Sequence, residues 1–212
     1  MNVLILIFIL LVTQSQAACL PDFALKINDL NSNIRESEHA IETFDLSMRE
    51  LIPEDHDLII RVDSLNPRIN ADINRTGNVI VIQVMGGMLN HPEMKPEVLQ
   101  LLLCHELGHL LGGPPFKSRA GWSSTEGQAD YYSGLNCARI LGFNESIFVE
   151  AALKLTTIYA QVVREATSSI NQCDERVVER TNYGYPSVQC RLDTLMAGWN
   201  QTQRPRCWFI GL

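Results

Sequence analysis

From Pro96 to Leu111 the chain reads PEVLQLLLCHELGHLL, apolar on nearly every side. A helix that is hydrophobic all round belongs at the centre of a domain, so the rest of the chain has to pack around this one. Pro96 suits its first turn, where a missing N–H costs nothing, and Gly112-Gly113-Pro114-Pro115 stops it. Beyond Glu97 and Gln100 near its start, three polar side chains interrupt the run: His105, Glu106 and His109. Burying such groups without partners costs about 1–3 kcal/mol each. On a helix His105 and His109 stand one turn apart on one face, so two imidazoles can meet one metal ion with Glu106 beside them as a base. The alternative is a coincidental pair of histidines.

Two imidazoles need a third protein ligand if one metal position is to stay open for water. Ser123-Ser124-Thr125-Glu126 has the spacing of a capping box, which predicts a second helix on which Glu126 and Asp130 share a face. Glu126 can supply the third ligand, or it can merely cap. Asp130 can accept a ring N–H from a ligand histidine and fix its tautomer, or be a solvated carboxylate. The ion such a set would hold is Zn2+.

The chain opens with an uncharged apolar stretch, Val3 to Val12, then Thr13-Gln14-Ser15-Gln16-Ala17-Ala18. The stretch is short for a membrane span, and Ser15-x-Ala17 suits signal peptidase. Residues 1–17 are read as a cleaved export signal and 18–212 as one domain, secreted or periplasmic. No Lys or Arg lies near Met1, so a retained anchor is the alternative; a lipid on Cys19 is a third. No later apolar run reads as membrane length, which predicts no span in the mature chain. The net charge of −7 disfavours nucleic acid as a partner.

Six cysteines in an exported chain favour disulfides, although the sequence does not fix their pairing. Cys137 returns to nearly the same helical face as Glu126, so it can meet Cys104 where the helices cross. Cys190 and Cys207 can tie down the C-terminal tail. Asn74, Asn144 and Asn200 begin glycosylation sequons.

Between Asp22 and Leu51 mixed three- and four-residue intervals predict one or two amphipathic helices, with His39 on the surface. The acidic segment around His56 reads as a charged turn. Leu58 to Val62 reads as a strand, Arg68 to Ile73 as a weaker, exposed one, and Val79 to Val84 as the clearest. Asn144 and Ser187 cap two further helices. The pattern is α+β: mainly helical, with a small sheet beside the central helix.

The pair His105-Glu106-Leu107-Gly108-His109 and Glu126-Gly127-Gln128-Ala129-Asp130 resembles the gluzincin metallopeptidases. Within them it is most similar to the HtpX-like and CaaX-protease-like branch, over roughly residues 79–137. The resemblance implies a zincin-like fold and a zinc endopeptidase acting on a peptide or protein substrate. His105, His109 and Glu126 would be its ligands and Glu106 its base. That branch tends to carry a later His-Pro pair followed by Arg; here Tyr185-Pro186 with Arg191 stands in the comparable place. Tyr185 or Arg191 could then stabilise the oxyanion, or each could be structural. Val79 to Val84 is a candidate edge strand for an extended peptide, or an ordinary interior strand. Two other readings stay open: a zinc-stabilised binding or scaffold protein without turnover, and a helical protein whose H-E-x-x-H is accidental.

Overall fold

The computed structural model describes residues 17–18, 34–119 and 121–211. Apart from Ala17, the expected export signal lies outside these residues, as does Cys19. The architecture is mixed α+β, with helices predominating beside a small sheet.

Helix α1 (Ile34–Met48) continues into a short 3-10 turn. It buries Ala40, Phe44 and Met48 at four-residue spacing, while His39 is exposed and Leu46 faces away from the core. Strands β2 (Asp57–Asp63), β3 (Ala71–Thr76) and β4 (Val79–Met85) form the sheet, and a two-residue β1 (Ala17–Ala18) lies antiparallel on the outer side of β3. β3 and β4 make an antiparallel hairpin across Gly77-Asn78, with Gly77 supplying the positive φ of 61° that such a tight turn needs. β2 runs parallel to β4.

Two strand expectations are corrected. The weak strand over Arg68 to Ile73 begins only at Ala71, and it is not exposed: Ala71 and Ile73 are fully buried, on the side where β3 meets the central helix. Val79 to Val84 is not an edge. β4 lies between β3 and β2, with its backbone paired on both sides, so no peptide can add to it. Edge status depends on which strand arrives from elsewhere, and local alternation does not encode that.

After β4 a short α2 (Gly86–Leu89) leads to α3 (Pro96–Leu111), which forms with the expected bounds and with Pro96 in its first turn. From Val98 to His109 every residue except Gln100 is buried. α4 (Glu126–Tyr132) passes into a π-helical turn, Ser133–Cys137, and then α5 (Ala138–Ile140). α6 (Glu145–Val163) starts where the Asn144 side chain accepts the Ile147 N–H, and α7 (Val188–Trp199) where the Ser187 hydroxyl accepts the Cys190 N–H. α6 is long and apolar enough to cross a membrane by length and composition, contrary to the sequence reading, but half of it is buried, with Phe148, Leu155 and Ile158 in the core.

Both expected disulfides form: Cys104–Cys137 joins α3 to the π-helical turn, and Cys190–Cys207 joins α7 to the tail. Two disulfides among the described residues point towards an oxidising environment. Cys173 is exposed and has no disulfide partner among the described residues.

The small residues of the two motifs have a packing reason. A Cβ at Gly108 would lie 2.7 Å from the Ala129 carbonyl oxygen and 2.9 Å from its Cα, so α3 and α4 cross backbone to backbone at that point. That closeness lets side chains from both helices share one site. Gly108→Ala should therefore destabilise the fold by about 1–3 kcal/mol by overpacking, even though alanine is the better helix former. Urea unfolding measures the cost, and a neutral result would mean that the helices can move apart.

Candidate metal centre

The site is made by α3, the first two turns of α4 and one side chain from α7. His105, Glu106 and His109 are buried on α3, and Glu126 and Asp130 on α4. Glu126 does not cap its helix. α4 begins at Glu126, with Thr125 as an N-cap that makes no side-chain bond, so the expected capping box is absent. The carboxylate turns inward instead, with Oε2 3.2 Å from His105 Nε2 and Oε1 3.5 Å from His109 Nε2.

Hydrogen bonds fix both rings. His105 Nδ1 is 2.7 Å from Asp130 Oδ1, and His109 Nδ1 is 2.8 Å from the Ser124 carbonyl oxygen. Each Nδ1 donates outward, so each Nε2 turns toward the Glu126 carboxylate. His109 Nε2 is buried and no hydrogen bond satisfies it. One ligand atom from each of His105, His109 and Glu126 lies within 4.8 Å of the others. Two imidazoles and a carboxylate, with both Nδ1 atoms committed outward and one Nε2 lacking a partner, fit a divalent ion of borderline softness. This buried group could bind a metal ion.

The electrostatics follow from the same contacts. Burial alone would depress His105, but the charge of Asp130 and its hydrogen bond outweigh that and hold the ring up at about 9. His109 has no such carboxylate on its Nδ1, and burial takes it down to about 3 against the pull of Glu126. Burial would also raise Glu126; the charge of His109, the hydrogen bond to His105 and the ammonium of Lys117 together keep it well below the usual carboxylate range. Asp130 is likewise held down against burial, chiefly by Arg191.

Arg191 comes from α7 and grips Asp130 with two bonds, Nε to Oδ2 at 2.8 Å and Nη2 to Oδ1 at 2.9 Å. Its guanidinium lies 3.8 Å above the Tyr159 ring, and Nη2 is 3.6 Å from Glu126 Oε2. One face of this cation is thus covered by Tyr159, and its edge is engaged by Asp130 and Glu126. Tyr185, at 46% exposed, stands on the loop before α7 and is not buried with the cluster.

Asp130→Asn should weaken metal binding about 10–100-fold, because an amide does not hold the His105 tautomer as a carboxylate does. Competition with a chelating dye measures this. An unchanged affinity would mean that Asp130 has no influence on the ligand.

The sequence offered no sign of three neighbours. Lys117 Nζ donates to Glu126 Oε1 at 2.6 Å, yet it reads as one cation in a short loop. Ser124 acts through its carbonyl, which the backbone pairing of Phe116 with Ser124 helps to place. Tyr159 hides in the apolar stripe of α6. A further group, Asp174 with Cys190 and Cys207, has its two sulfurs in a disulfide and offers no thiolate.

No family model, curated protein or solved structure matches this chain.

Proposed function

We propose that this protein is an exported zinc endopeptidase of the gluzincin type, with His105, His109 and Glu126 as zinc ligands. The observation that carries the reading is the outward commitment of both Nδ1 atoms, which leaves the two Nε2 atoms and the Glu126 carboxylate facing one another. Zinc, when bound, supplies a Lewis acid that acidifies water and polarises a scissile carbonyl. Glu106, next to His105 and outside the ligand set, takes the proton of the attacking water and returns it to the leaving amine. Arg191 acts as a positioning residue: it orients Asp130, which orients His105.

A second reading has its own support. His105, Glu106 and His109 are fully buried and Lys117 sits on Glu126, as suits a zinc-stabilised scaffold without turnover. Metal analysis of the purified protein, followed by incubation with an end-blocked peptide library, decides between them. Stoichiometric zinc with cleavage supports the peptidase. Zinc without cleavage supports the scaffold, and absence of zinc overturns both.

A further inference from the structure

The loop between α3 and α4 and the C-terminal tail enclose a cleft of about 760 Å3. Lys117 belongs to its wall and also touches Glu126, so a single side chain links the cleft to the buried cluster. Gly112, where α3 ends, lines it too, and the Gln128 amide of α4 donates to the Gly112 carbonyl at 2.6 Å.

The lining has an unusual balance of charge for this chain. The sequence holds 24 acidic and 17 basic residues, yet no Asp or Glu lines the cleft, whereas Lys117, Arg119 and Arg204 do. Lys117 is already paired with Glu126. Arg204 and Arg119 make no ion pair among the described residues. Arg204 lies over the Phe209 ring at 4.7 Å and the Tyr131 ring at 5.2 Å, and its Nε has no hydrogen-bond partner. It is a guanidinium stacked on aromatic faces with donors to spare, an arrangement that receives a carboxylate well. Phe116, Tyr183 and Phe209 give the same cleft apolar surface for a peptide's neighbouring side chains.

We infer that this cleft binds an extended peptide through an acidic side chain, held by Arg204 and Arg119 beside the metal centre. As a statement about substrate the inference rests on the peptidase reading; as a statement about binding it stands on the charge of the cleft.

The test uses zinc-loaded full-length protein and fluorescent peptides, acetylated and amidated at their ends, in matched pairs that differ only by Glu or Gln at one position. Fluorescence anisotropy should show the Glu peptide binding roughly 10-fold or more tightly than its Gln partner, as a charge-assisted pair does. Added salt should narrow the gap. Arg204→Gln and Arg119→Gln should each shrink the preference several-fold, while Arg204→Lys, which keeps the charge, should preserve much of it. Equal binding of both peptides overturns the inference, as does a preference that neither Gln variant changes. A neutral peptide with a free C-terminus that binds as tightly as the blocked Glu peptide overturns the side-chain assignment in favour of terminal-carboxylate capture. Cleavage, followed in the same samples, reports separately on the peptidase reading: selective binding without hydrolysis sinks that reading and leaves the acidic-peptide site standing.

Discussion

Glu106→Gln is expected to lower the turnover of any cleaved peptide by about 10²–10⁴-fold, the usual contribution of a general base. Metal content and melting temperature should stay close to those of the wild type. Glutamine has nearly the same size and keeps one acceptor oxygen, so a residue that is fully buried on the central helix can be exchanged without opening a cavity. Glu106 is also outside the set that converges on the metal position, so its loss should remove proton transfer and spare binding. Turnover is measured on a cleaved library peptide, and zinc by elemental analysis of the same preparation. A Glu106→Gln protein as active as the wild type would reject the assigned base; one that has lost its zinc would show Glu106 to be a ligand.

Removing the metal is expected to lower the melting temperature by roughly 10 °C. An ion present at about a thousand times its dissociation constant contributes about 4 kcal/mol, and each kcal/mol moves the midpoint of a domain this large by about 2–4 °C. The structural reason lies in the buried charges. Glu126 and Asp130 are both withdrawn from water, each with cations against it, and His109 Nε2 has no hydrogen bond of its own. Calorimetry with and without a chelator checks the shift, and re-addition of zinc should restore it. Glu126→Ala should abolish the zinc-dependent part. A midpoint indifferent to chelator and zinc would mean that the cluster holds no ion under those conditions.

What could be read from the sequence was local. α3 was legible because a run apolar on all sides has one destination, and because Pro96 and the Gly-Pro segment mark its ends. Glu126 was legible because two imidazoles on α3 call for a third ligand and it falls near the start of the next helix; the competing role, a capping box, does not form. The Cys104–Cys137 pair followed from helical phase, and the π-helical turn that ends at Cys137 did not spoil it. What was missed depends on which distant segments meet. β4 has an unmistakable strand composition, but its central place comes from β2 pairing with it in parallel. Nothing near Lys117 announces that its ammonium reaches Glu126. Gly127 is a further case: a Cβ there would lie 2.4 Å from the Trp208 ring, so the tail rests on the helix that carries Glu126. The glycine was visible in the motif, whereas the tryptophan that requires it lies near the far end of the chain.

The two crosslinks also have a consequence for when this protein can become competent. Cys104 immediately precedes His105, and Cys190 immediately precedes Arg191. Two of the segments that build the centre are thus pinned, one residue away, by bonds that form only where thiols are oxidised. In a reducing cytosol the same polypeptide would carry its ligands on helices that lack those pins. The order of the centre would then be tied to oxidation, with its helices gaining their fixed spacing only once the thiols have paired.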